Sequence, residues 1–94
     1  MAQINRKRDR LEVIYDILRV VMEHGNSIKP TPLLRKSNLS SQSFNEYVEE
    51  LMQKEFLKEA RDKKERKFYT LTDKGFKYLE KYKTIIGFIE DFDL

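Results

Sequence analysis

The feature that most limits what this chain can fold into is a helix-start signature that occurs twice: Leu39-Ser40 with Phe44, and Leu71-Thr72 with Phe76. In each, a hydroxyl at the N-cap can accept from the open N–H groups of the first turn. The flanking apolar pair, at N′ and N4, sets the angle at which the chain joins the helix. Two fixed helix starts leave room between them for one helix and a short β unit. Phe44, Tyr47, Val48, Leu51 and Met52 recur at helical spacing and predict a helix over about residues 40–54. From Phe56 the pattern changes: Phe56–Ala60 and Lys67–Leu71 flank RDKKER and read as a hairpin. That turn contains no glycine, which leaves its type open.

Upstream, Glu12, Asp16, Arg19 and Glu23 form one narrow polar stripe on a helix over residues 9–24, and nearly everything else from Leu11 to Met22 is apolar. An apolar arc that wide predicts burial on two sides. His24 and Gly25 suit the helix end. A brief extended piece, Ser27 to Lys29, leads to Thr31-Pro32, which reads as an N-cap and a proline at the first helical position. The short helix so opened runs through about Lys36. Ser37-Asn38-Leu39 is the turn that follows, with Asn38 suited to left-handed backbone. Thr72 starts a last helix that runs to about Ile89, ahead of an acidic tail. Three helices, a two-stranded wing and a further long helix make a mainly α fold with a small β-hairpin (α+β), the winged helix-turn-helix arrangement.

Many functions use that fold, so function has to come from the surfaces. Catalysis finds no support. The single histidine, His24, stands at a helix end, and there is no Gly-rich phosphate loop or cluster at metal-ligand spacing. Asp91 and Asp93 read as solvated charge in the tail. The absence of cysteine excludes disulfides, thiolate zinc sites and a cysteine nucleophile. A non-enzyme with no cofactor and no metal is expected. No apolar run approaches the roughly 18 residues of a membrane span, and MAQINRKRDR has no apolar stretch behind its basic residues. The expectation is a soluble cytoplasmic, nucleoid-associated protein with no membrane partner.

Charge is unevenly distributed, although the formal net charge is only +3. Residues 6–10 carry four basic groups against one acid, and residues 61–67 five against two. Lys29, Arg35 and Lys36 add three more, and the remainder of the chain is net negative. In this fold the wing and the short second helix flank the recognition helix, so basic groups there can reach the phosphates beside it. The candidate phosphate contacts are Lys29, Arg35, Lys36, Ser40, Arg61, Lys63, Lys64, Arg66 and Lys67, with Arg6, Lys7 and Arg8 as a contacting arm. Opposite its apolar stripe the recognition helix shows Ser41, Gln42, Asn45 and Glu46, the candidate base readers. Gln and Asn can bond adenine bidentately, Ser can bond bases or phosphates, and Glu can accept from cytosine. The bland alternative is that these residues are soluble filler and each charge run ordinary surface.

NLSSQSFNEYVEEL, followed by KEFLKE and FYTLTDKGFKYLEKY, resembles a family of small archaeal winged-helix proteins, predicted transcriptional regulators and chromatin-associated DNA binders. The likeness runs from about Leu11 to Tyr82. Its most specific parts are the Asn-Leu-Ser start at Asn38 and the Tyr-x-Leu-Thr-x-Lys-Gly run from Tyr69 to Gly75. The resemblance implies a homodimer built through the C-terminal helix, often as an antiparallel coiled coil, with two wings presented to DNA. Two positions depart from the pattern. Ser41 stands where relatives often carry a large aromatic, and Glu46 where they often carry a basic residue. Both departures shift electrostatic work to the wing.

The C-terminal helix carries a matching seam. Tyr78, Tyr82, Ile85, Ile89 and Phe92 recur at alternating spacings of four and three, the candidate dimer interface. A single intramolecular stripe is the alternative, and the wide arc of the first helix favours the dimer by offering cover to a partner. The expected organisation is a basic arm at 1–8, a winged helix-turn-helix domain at 9–71, and a C-terminal dimerisation helix with acidic tail at 72–94. The expected function is sequence-specific binding of double-stranded DNA as a homodimer, in transcriptional regulation, with helix 40–54 in the major groove and wing 61–67 on the backbone. The rivals are an architectural chromatin protein without sequence preference and a winged-helix protein–protein interaction module.

Overall fold

The computed structural model describes residues 8–94. Its elements are α1 (Arg10–Glu23), α2 (Pro30–Ser37), α3 (Ser41–Gln53), β1 (Leu57–Arg61), β2 (Lys67–Leu71) and α4 (Asp73–Asp91). This is the expected order, and the fold is a winged helix-turn-helix with a long C-terminal helix.

Local chemistry sets most of the helix ends. Asp9 accepts from the Glu12 N–H at 2.8 Å, Ser40 from the Ser43 N–H at 3.1 Å and Thr72 from the Gly75 N–H at 3.0 Å, starting α1, α3 and α4. Three helices close in the same way, through an N–H two residues past the cap that returns to the last turn. Asn26 donates to Val21 O at 3.0 Å, Phe56 to Leu51 O at 2.8 Å and Leu94 to Ile89 O at 2.9 Å. The left-handed residue this needs is Gly25 in α1, but Glu55 and Asp93 in the other two.

Three boundaries differ from expectation, the first being that α4 runs to Asp91, past Ile89 and into the acidic tail. α2 begins at Pro30 rather than Pro32, and its N-cap, Lys29, makes no side-chain cap. Both prolines suit a first turn that has no use for their missing N–H groups, and the earlier one takes the first helical position. Thr31 is therefore inside the helix. The hairpin begins at Leu57 because the N–H of Phe56 is occupied in closing α3.

The hairpin is antiparallel, with Leu57 opposite Leu71, Glu59 opposite Tyr69 and Arg61 opposite Lys67. Ile28 adds a third edge: its N–H donates to Tyr69 O at 3.2 Å, and the Tyr69 N–H returns to Ile28 O at 2.8 Å. Asn26, also left-handed, accepts from the Leu71 N–H at 2.7 Å through its side-chain oxygen. These bonds hold the base of the wing against the loop before α2.

The core is centred on α1, whose Val13, Ile14, Ile17, Leu18, Val20 and Val21 are buried with Leu33, Phe44, Val48, Leu51, Leu57 and Leu79. α1 packs against α2 on one side and against α4 and β2 on others. The breadth of its apolar arc is thus used within one chain and does not call for a partner, which corrects that part of the sequence reading. The two staples also differ. Leu39 packs on the core beside buried Phe44, whereas Phe76 remains 39% exposed although Leu71 is buried. The molecule measures 49 × 28 × 22 Å, longer than its mass needs because of α4.

Candidate nucleic-acid interface

The α2–α3 corner turns on Asn38, at φ 60 and ψ 31, a conformation its short polar side chain tolerates. The corner delivers α3 with Phe44, Val48 and Leu51 inward and Ser41, Gln42, Asn45, Glu46 and Glu49 exposed. The periodicity therefore sorted this helix correctly. Among the described residues, the side chains of Ser41, Gln42, Asn45 and Glu46 make no hydrogen bond or ion pair. Glu50 is different: it forms ion pairs with Arg10 and, at 3.9 Å, with Lys54. Its charge is cancelled away from the open face, and Glu46 remains the one uncompensated acid among the four candidate readers.

The flanking bases divide into free and occupied. Lys29, Arg35 and Lys36 are exposed, with no acidic partner among the described residues. Lys29 lines a groove with Pro32, Asp62 and Phe68, so the start of α2 lies beside the wing's base. Ser40 is exposed at the helix start, with its hydroxyl oxygen accepting from Ser43.

In the wing, the glycine-free turn is organised by Asp62. One carboxylate oxygen accepts from the Lys64 N–H at 2.8 Å and the Arg66 N–H at 2.9 Å, and the other from the Arg66 guanidinium at 2.9 Å. Glu65 supplies the left-handed step. The Arg66 N–H foremost, opposed by desolvation and helped by the Lys64 N–H and the Arg66 guanidinium, holds the Asp62 carboxyl below its ordinary value. The sequence reading missed this residue, although an aspartate opening a loop is a standing signal for side-chain capture of turn N–H groups.

Asp62 thereby holds Arg66. Arg61 donates to Glu65 O at 3.0 Å and lies 3.6 Å from Glu59, while Lys67 lies 3.9 Å from Glu59 and over the Tyr69 ring. Lys63 and Lys64 in the turn, with Lys58 on β1, are the wing's exposed cations without an acidic partner among the described residues. Of the arm, Arg6 and Lys7 lie outside the described residues. Arg8 is bound to Asp16 at 2.7 Å and donates to Ser37 O at 2.8 Å, so its guanidinium serves the fold instead of standing free as an arm contact.

The seam on α4 divides too. Tyr82 stacks on Tyr15 with ring centroids 4.4 Å apart, and the Tyr78 hydroxyl donates to Leu11 O at 2.8 Å. Burial, then the Tyr82 phenol, pushes the Tyr78 hydroxyl up to about 12. Ile85, Ile89 and Phe92 are exposed, together with Phe88. Among the described residues no group of three or more potential metal-binding side chains gathers, and no helix is long and apolar enough to cross a membrane.

A helix-turn-helix with one polar helix face open, joined to a hairpin with three lysines unpaired among the described residues, defines a class of protein. The chain belongs to the winged helix-turn-helix family, which it matches over residues 7–90. It is 32% identical over 83 residues to an uncharacterized protein of Methanocaldococcus jannaschii, covering 88% of this chain but only 36% of that relative's length. Among solved structures it is similar to Sso10a-2, a DNA-binding protein from Sulfolobus solfataricus. That match has a TM-score of 0.73 and 21% identity, over 90% of this chain and 85% of the other. F93 from STIV, a winged-helix DNA-binding protein, gives 0.72 and 22% identity over 85% and 91% of the two chains. At these identities the structural likeness is one of fold.

Proposed function

We propose that this chain binds double-stranded DNA as a homodimer and regulates transcription. Ser41, Gln42, Asn45 and Glu46 face bases in the major groove, and the wing lies on the backbone. The observation that carries this reading is the open face of α3, whose four polar side chains are bonded to nothing among the described residues. Arg35, Lys36, Lys63 and Lys64, on the elements that flank it, have no acidic partner there either. Two fold neighbours described as DNA-binding proteins support the same reading. Glu46 favours a regulator over a protein that coats any duplex, since a carboxylate repels phosphate but can accept from cytosine. In this reading residues 1–8 act as an arm anchored at its base by Arg8, 9–71 as the DNA-binding domain and 72–94 as the dimerisation helix.

A duplex-binding titration across salt concentrations tests the proposal. With roughly six phosphates neutralised, log affinity should fall against log salt with a slope of about −5. Replacing Lys63 and Lys64 by alanine removes four cations from a two-winged dimer and should flatten that slope by about 3 to 4. Affinity absent at low salt, or indifferent to salt, would overturn the reading. Selection from randomised duplexes that yields no consensus would replace the regulator with an architectural protein.

A further inference from the structure

We propose that a groove beside the start of α4 binds a small amphipathic anion, an apolar body that ends in a single anionic head. The groove has a volume of about 360 Å³, within the roughly 300–1,000 Å³ usual for small-molecule sites. It follows α4 from Lys74 to Ile85, roughly 16 Å of helix. Leu11, Phe56 and Tyr78 make its floor, and Lys74, Lys77 and Lys81 its rim.

The floor is hydrocarbon. The Tyr78 hydroxyl, which could interrupt it, is occupied in donating to Leu11 O at 2.8 Å. Leu11 is 54% exposed, an unusual position for a leucine that opens a core helix. The rim is cationic throughout. Its three lysines recur at intervals of three and four, which sets them along one flank of α4. None has an acidic partner among the described residues, although Lys74 sits 5.2 Å over the Phe56 ring. Among the described residues no acid lines this groove, whereas four other grooves each include a carboxylate, from Asp73, Glu23, Asp62 and Glu90.

A hydrocarbon floor beside a row of unmatched ammonium groups selects a ligand with both properties. Inorganic phosphate or a duplex backbone would meet the lysines and leave the floor in water. A neutral hydrocarbon would cover the floor and leave the charges unmet. An amphipathic anion does both: burial of its body supplies the affinity, and the flexible lysine stems bring their ammonium groups to its head. Phe56 gives the site its place in the fold. Its N–H closes α3 on Leu51 O at 2.8 Å, and its carbonyl accepts from the Thr72 N–H at 3.1 Å, where α4 starts. The occupant therefore rests against the joint between α3 and α4.

Fluorescence titration of the full chain with 1-anilinonaphthalene-8-sulfonate, beside its neutral relative N-phenyl-1-naphthylamine, tests this, with circular dichroism to establish that each variant is folded. The sulfonate dye should bind once per chain and be displaced by decanoate but not by acetate. Lys77→Gln with Lys81→Gln should weaken it by about tenfold, the order expected of two screened charge contacts, and leave the neutral dye unchanged. Leu11→Gln should weaken both dyes. After Lys83 the chain has no basic residue, so dye held by exposed Phe88, Ile89 and Phe92 would not respond to the lysine pair. No uptake of the sulfonate dye, uptake indifferent to the lysine pair, displacement by acetate, or a dye that decanoate leaves in place overturns the inference. So does uptake confined to an Ile89→Asp chain, which would give the groove to the self-association surface. None of these measurements uses DNA, so the duplex-binding reading stands or falls separately.

Discussion

α4 is one continuous helix in two different surroundings. Along its first half Gly75 and Leu79 are buried, Tyr78 bonds back to Leu11 and Tyr82 stacks on Tyr15. Along its second half Ile85, Phe88, Ile89 and Phe92 are exposed, at 54%, 56%, 39% and 65%. The two glycines report the same division. A Cβ on Gly75 would stand 2.3 Å from Phe56 O, whereas one on Gly87 would meet nothing within 4 Å. An apolar repeat therefore records that a face is to be covered, without recording by what. The first half is covered by the domain that bears it except at Phe76, and the second half is left exposed.

Substitutions along the helix should separate the halves, the proximal ones costing stability and the distal ones association. Leu79→Ala, which empties a fully packed site, should lower unfolding free energy by about 3 kcal/mol in denaturant titration. Gly75→Ala should cost about 2 kcal/mol, since contact with backbone outweighs the gain of about 1 kcal/mol in helix propensity. A stable Gly75→Ala chain would mean that the approach to Phe56 is not tight. Tyr78→Phe should cost about 1 kcal/mol for the lost hydrogen bond to Leu11 O. It should also change the alkaline response. The folded Tyr78 value, about 12, lies above the unfolded 10.0, so its contribution is whole below about pH 10 and is lost as pH rises towards 12. Unfolding followed over that window should show a shallower decline in the phenylalanine variant.

Distal changes should leave the folding of a single copy almost untouched. Ile85→Asp and Ile89→Asp should each yield monomers with unchanged helix content. Sedimentation at twice the chain mass in both would refute the proposed seam. Gly87→Ala should be the mildest, adding up to about 1 kcal/mol of helix stability to the monomer. If it also weakens association, the glycine is there to let a second helix come close.

What could be read from the sequence follows the range of the interactions involved. Ser40 and Thr72 announce helix starts because a cap is made within a few residues, and Asn38 announces the corner because its backbone conformation is local. The exposed face of α3 was readable for a related reason: once a helix is phased by Phe44, Val48 and Leu51, its other side follows. The start of α2 was ambiguous because two prolines each satisfied the same rule. The net charge of the wing was countable, but its distribution was not. Capture of Arg66 by Asp62, and of Arg61 and Lys67 beside Glu59, depends on the turn and the strand register. The bond from Arg8 to Ser37 O, like the stacking of Tyr82 on Tyr15, joins positions far apart in sequence and leaves no mark in any short pattern.

The two-way bond between Ile28 and Tyr69 has a consequence for any duplex that meets this molecule. It ties β2, the strand that leads out of the wing's turn, to the residues that immediately precede α2, and so restrains the distance from wing to helix-turn-helix. A rigid gauge of this sort does not adapt to the object measured. DNA held at both points would have to bend or alter its groove width to fit. Sites whose bases deform at low energetic cost would then be preferred, even where no side chain touches them.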